Sequence, residues 1–227
     1  MISCDLGYNK FIQLSQRFSQ AVLYASFAHA QQKRNGTEIP YISHLLAVAS
    51  IALEHGANEN EAIAALLHDA PEDAGGEERL EDIRQLFGDV VADIVEGCTD
   101  TFATPKPAWK KRKEDYIAKI PSASSSIRFI SASDKLHNAS CILRDYCEIG
   151  EKIWPRFAGG EVGVLWYYRS LINAYGQGES FRRKGFEDLV AELNKVVTEL
   201  ERITTLAKYA PEQAPMMQTL SSHHRVQ

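Results

Sequence analysis

Residues 66–76 read LLHDAPEDAGG. An apolar helical run ends on a histidine and an aspartate, a proline follows, and a second acidic pair precedes two glycines. Upstream, EAIAALLHD (61–69) is apolar along most of its length, which predicts a buried helix delivering an imidazole and a carboxylate to its end. Ala64 and Ala65 lie four and three residues before His68, so small side chains there let a neighbouring helix approach the ring. Pro71 lacks an amide hydrogen and disfavours helical geometry at Ala70, so a turn is expected between the two acidic pairs. The stretch is either an acidic surface corner or a place where side chains hold an ion and a water molecule.

Working outward, helical periodicity recurs almost everywhere. From Phe11 to about Gln32, apolar residues such as Phe18, Val22 and Ala25 fall at helical intervals. A loop, KRNGTEIPY (33–41), is punctuated by Gly36 and Pro40. LLAVASIALEH (45–55) is apolar nearly all round and predicts a second buried helix stopped at Gly56. Asn58 followed three residues later by Glu61 is a capping-box pattern for the helix that carries His68. EDIRQLFG (81–88) and DVVADIVEGC (89–98) predict two shorter helices with breaks at Gly88 and Gly97. A basic helix (109–120), a long helix (126–150) and two amphipathic segments (159–176 and 186–210) complete the pattern. Strand signals are nearly absent. The expected fold is all-α, a multi-helix bundle in one domain over residues 1–210, with residues 211–227 as a flexible tail.

Composition narrows the class further. The 227 residues are 44% hydrophobic and 24% charged, which suits a globular protein with a sizeable core. A formal net charge of −5 argues against a nucleic-acid polymer as partner. The four cysteines form no C-x-x-C pair and predict reduced thiols in the cytoplasm. No signal-peptide pattern opens the chain, and no run approaches the ~18 apolar residues of a membrane span. A monomer or homodimer is expected.

Four residues then assemble into one constellation. His44 opens one buried helix, His68 and Asp69 close the next, and Asp134 lies within the long helix. Two imidazoles and two carboxylates suit a borderline divalent ion such as Mn²⁺, Fe²⁺ or Zn²⁺. Asp134 and Asn138 are four residues apart and share a face, and His137 is placed to support Asp134. Taken singly, each of these residues has a plain structural explanation. The ordered set H…HD…D, in helical apolar surroundings, does not.

This order resembles the HD superfamily of metal-dependent phosphohydrolases. The segments PYISH (40–44), AALLHDAPEDA (64–74), FGDVVADIVEGCTD (87–100) and SDKLHNAS (133–140) are similar, in sequence order, to motifs of the hydrolase domain of RelA/SpoT homologues, closest to stand-alone small alarmone hydrolases. The resemblance spans roughly residues 15 to 150. It implies removal of the 3′-pyrophosphate from (p)ppGpp with Mn²⁺ as the expected ion. It implies His44, His68, Asp69 and Asp134 as metal ligands, Glu72 and Asp73 as the catalytic pair, and Asn138 beside the ribose and 3′-phosphates. Lys33 and Arg34 occupy the place of base-contacting residues in reversed order, and Lys135 stands where an arginine is usual. Tyr167 and Arg169 are further expected substrate contacts. The same residues admit two other readings. One is hydrolysis of adenosine counterparts or of another phosphorylated nucleotide (NADPH phosphatase-like or 5′-nucleotidase-like). The other is a nucleotide-sensing module without catalysis.

Overall fold

Asn58 starts the helix that carries the LLHD stretch. Its side-chain oxygen accepts from the Glu61 amide at 3.1 Å, and Glu61 accepts from the Asn58 amide at 2.8 Å, so the predicted capping box is complete. The computed structural model describes residues 13–73, 75–103, 105–177 and 183–209. The expected helix start at Phe11 and the expected flexible tail lie outside the described residues.

In chain order the helices are α1 (Gln16–Ala28), α2 (Ile42–Glu54), α3 (Glu59–Leu67), α4 (Ala70–Asp73), α5 (Gly76–Phe87) and α6 (Asp89–Cys98). They continue with α7 (Trp109–Lys119), α8 (Ser125–Ile149), α9 (Gly160–Tyr175) and α10 (Lys184–Tyr209). Short 3₁₀ segments at Ile120–Ser122 and Gly150–Arg156 flank α8. Among the described residues the one extended pairing is an isolated bridge between Lys33 and Pro40. The all-α expectation therefore holds.

The long α8 is the centre of the bundle. It packs against α2, α3, α6 and α10, while α9 bridges α7 and α10. One apolar core runs through Leu45, Ile63, Leu66, Phe129, Ile130, Leu171 and Leu193, all fully buried. Burial of such side chains contributes roughly 1.5–3 kcal/mol each, and this is what fixes the helices that bear polar groups. Because α8 is enclosed by several neighbours, even Ser131, Ser133 and Asp134 on it are buried.

Two local expectations are corrected. Gly97 does not break α6, which runs through it to Cys98; a Cβ at that position would collide with the Ile127 side chain, so the glycine marks close approach of α6 to α8. The turn near Pro71 falls at His68 and Asp69, before the proline rather than between the acidic pairs. With no N–H to bond back along α3, Pro71 ends that ladder, and its fixed φ suits the first turn of α4. Among the described residues, no helix is long and apolar enough to cross a membrane.

Candidate active site

α2 brings His44, the end of α3 brings His68 and Asp69, and α8 brings Asp134 to one point. Donor atoms of His44, His68 and Asp134 all lie within 4.8 Å of one another. Asp134 Oδ1 is 3.2 Å from His44 Nε2 and 3.7 Å from His68 Nε2. Asp69 Oδ2 is 3.0 Å from His68 Nε2 and 3.4 Å from His44 Nε2. Both Nε2 atoms are buried without a hydrogen bond. Their opposite ring nitrogens are occupied. His68 Nδ1 lies 2.8 Å from the Ala65 carbonyl, and His44 Nδ1 lies 2.8 Å from His137 Nδ1. A carbonyl only accepts, so His68 carries a proton on Nδ1 and turns Nε2 to the centre. Convergent, orphaned imidazole nitrogens beside two carboxylates fit a divalent cation.

The electrostatics agree with that reading. Burial opposes charge on His68, but Asp69 and Asp134 outweigh it and hold the imidazole pKa well above the usual histidine range. Burial likewise opposes charge on Asp134, yet Lys135, His44 and His68 hold that carboxyl well below the usual range. Asp69 is held down in the same way, by His68 and His44 against burial. The centre thus demands positive charge, supplied by a proton or by a metal ion. His137 behaves differently. Burial, then His44 and Arg34, push its pKa down to about 4, so it stays neutral. It supports His44 rather than the expected Asp134.

Beside this centre lies a cavity of about 740 Å³. Glu72 lines it, with one carboxylate oxygen accepting from Lys106 Nζ at 2.9 Å and the other from the Asp100 amide at 3.3 Å. Asp73 is not a wall residue; it is solvent-accessible and accepts from Gln32 Nε2 at 2.8 Å, and burial of its carboxyl, then the nearby Asp69 carboxylate, raise its pKa. The two acids of the pair therefore face different surroundings. Asn138 links two parts of the wall: its Oδ1 accepts from Arg34 Nη2 at 2.6 Å, and its amide nitrogen donates to Asp134. Lys135 is paired with Asp134 and sits 5.2 Å from the Tyr116 ring centre. Tyr41, also on the wall, donates its hydroxyl to Asp69 Oδ2 at 2.7 Å. Burial, then the facing Asp69 carboxylate, raise its pKa far above the usual phenol range, so it remains a donor.

The basic helix α7 divides. Lys110 and Lys111 pair with Glu114 and Asp115 on the solvent side, whereas Arg112 and Lys113 turn in to Asp100 and line the cavity. Tyr167 lines the cavity too, buried against Trp109. Two expected contacts are corrected. Lys33 pairs with Glu38 in an exposed position and does not line the cavity, because neighbours in the extended Lys33–Pro40 pairing point to opposite sides. Arg169 is taken up by Glu201, Asn194 and Thr198 of α10, against which α9 packs, so it serves the helix interface. Sequence reading also passed over Tyr41, Gln32 and Arg156, the last a wall residue whose guanidinium pairs with Asp145 at 2.9 Å. Tyr41 sits inside the quoted PYISH segment, but nothing local shows that its hydroxyl reaches Asp69.

An all-helical bundle with imidazoles and carboxylates converging beside a cation-lined cavity defines the class: the chain belongs to the HD-domain family, whose profile matches residues 21–161. Within it, the chain is 34% identical over 127 residues to the Drosophila melanogaster guanosine-3′,5′-bis(diphosphate) 3′-pyrophosphohydrolase MESH1, covering 55% of this chain and 68% of that protein. Its Xenopus tropicalis counterpart is 37% identical over 122 residues, covering 52% and 65%. The bifunctional (p)ppGpp synthase/hydrolase SpoT of Escherichia coli is 37% identical over 129 residues, with 54% of this chain matching 18% of that longer protein. Among solved structures, a metazoan ortholog of SpoT described as hydrolysing ppGpp superposes with a TM-score of 0.65 at 25% identity, covering 83% of this chain and 98% of the other.

Proposed function

We propose that the protein is a metal-dependent 3′-pyrophosphohydrolase of guanosine alarmones, converting (p)ppGpp to GDP or GTP plus pyrophosphate. One observation carries this reading. Four residues of the cavity wall (Tyr41, Lys135, His137 and Asn138) are each bonded directly to one of the convergent donors Asp69, Asp134 or His44. A molecule in the cavity is thereby in the electrostatic reach of the centre. The relatives named above for this activity support the same assignment.

His44, His68, Asp69 and Asp134 would hold a divalent ion, and the resemblance to the hydrolase domain of RelA/SpoT homologues makes Mn²⁺ the expected one. Such an ion polarises a phosphoryl oxygen and lowers the pKa of its water. The chain's own groups do the rest. Glu72 faces the cavity, and we assign to it the orientation of the attacking water and the acceptance of its proton. Lys135, Lys113 and Arg112 offset the charge of the pyrophosphate. Asn138 and Arg34 hold the nucleoside side of the substrate. The water oxygen bonds to the phosphorus attached to the 3′ oxygen; that P–O bond breaks, and the 3′ oxygen leaves with the nucleotide and gains a proton. Arg34 presents a planar group 5.7 Å from the Tyr41 ring centre, a platform that accepts either purine face, so adenosine forms are a second substrate class.

Incubation of ppGpp with the Mn²⁺-loaded protein tests the reading. GDP and intact pyrophosphate are expected; release of successive single phosphates, or no turnover, overturns it.

A further inference from the structure

The tyrosine of the PYISH segment is held more firmly than a wall residue needs to be. Its ring stacks on His29 at 5.1 Å and 22°, and meets His44 edge-on at 5.5 Å. Its backbone amide donates to the Gln32 carbonyl at 2.9 Å. His29 is itself fixed, with Nδ1 against Gln32 Oε1. The end of α1 and the start of α2 thus both contact this ring, one by stacking and one edge-on. Its one polar atom reaches Asp69 Oδ2, the oxygen that also faces both histidine Nε2 atoms.

We propose that Tyr41 is a positioning residue for the metal centre, its hydroxyl fixing the rotation of the Asp69 carboxylate so that an oxygen stays aimed between His44 and His68. A carboxylate at the end of α3 turns freely about its last carbon–carbon bond, and the phenol bond removes that freedom before any ion arrives. Hydrogen bonds that orient a ligand in this way typically carry about 10–100-fold in metal affinity. The ring also lies 5.7 Å from the Arg34 guanidinium, which reaches Asp134 through Asn138. Two of the four ion-holding side chains therefore share supports with the cation that faces the cavity. The inference rests on the assignment of the metal centre but not on the identity of the substrate.

Tyr41→Phe removes the hydroxyl and keeps the ring. Titration calorimetry with Mn²⁺ on the full chain is expected to show about 10–100-fold weaker binding, with the melting temperature of the metal-free protein unchanged. With ppGpp at saturating Mn²⁺, kcat is expected to recover to within about threefold of the parent, because the phenol acts through the ion's site. Unchanged Mn²⁺ affinity in Tyr41→Phe overturns the proposal, as does a kcat loss that persists at saturating Mn²⁺. A lowered melting temperature of metal-free Tyr41→Phe that accounts for the weaker binding also overturns it, since the effect would then be general to the fold. The calorimetric arm stands even if ppGpp is not turned over, which would instead defeat the proposed function.

Discussion

Arg34 donates to Asn138 at 2.6 Å, joining the loop after α1 to the middle of α8 across 104 residues of sequence. The bond makes two wall residues into one unit. Arg34→Ala is expected to raise KM for ppGpp while leaving Mn²⁺ affinity nearly intact, whereas Asn138→Leu is expected to raise KM and also to weaken Mn²⁺ binding, because Asn138 donates to Asp134. The double variant is expected to lose less than the sum, with a coupling of about 0.5–3 kcal/mol typical of contacting pairs. Strictly additive losses in kcat/KM would separate the two residues.

Chelation is expected to abolish turnover, and added Mn²⁺ to restore it. His68→Ala and Asp69→Ala are expected to lose the ion while far-ultraviolet circular dichroism stays helical, since the core residues of α3 are untouched. Full activity in a metal-free sample would show that the convergent nitrogens serve another purpose.

The pH dependence follows from His68. Its folded pKa lies above the unfolded value, so its proton stabilises the metal-free fold fully below the unfolded pKa. That contribution is lost as pH rises through the folded value. A metal ion must displace the same proton, so binding strengthens as pH rises. The increase in melting temperature on adding Mn²⁺ is therefore expected to grow between about pH 5 and about pH 8. A constant increment across that range would mean that no proton is displaced.

Glu72 and Asp73 are expected to separate. Glu72→Gln is expected to lower kcat by about 10²–10⁴ with metal retained, the usual scale for a positioned proton acceptor. Asp73→Asn is expected to cost less, because Asp73 lies off the cavity wall and bonds to a neutral amide. Single-turnover rates for both variants at saturating Mn²⁺ decide the order.

The convergence of His44, His68 and Asp134 was legible in the sequence because each lies within or at the end of an apolar helix, where periodicity places such residues facing inward. Asn58 and Glu61 were legible for the same local reason. Tyr41, Gln32 and Arg156 were not, since their roles arise where segments distant in sequence meet. Lys33 and Arg34 look interchangeable in the chain, and only the extended pairing with Pro40 sends one to solvent and the other to the cavity. Arg169 resembles a ligand for phosphate until the facing register of α10 supplies Glu201. Pro71 gave the right kind of event but placed it late, because a proline closes the helix before it rather than bending the chain after it.

The capping carboxylate at the head of α3 has a consequence for what counts as the smallest working unit. Glu61 is almost completely buried and accepts not only from Asn58 but also from Ser126 and from Arg183, just before α10. Arg183 lies outside residues 21–161, the segment that matches the family profile. Trimming the protein to that segment would strip the guanidinium from a buried anion, a change that costs about 3–5 kcal/mol in comparable pairs. It would also remove Leu189, Leu193, Val197 and Leu200 from the core beneath α8. The helix delivering His68 would then start from a strained end, so a shortened version is expected to lose its ion before it loses its helices.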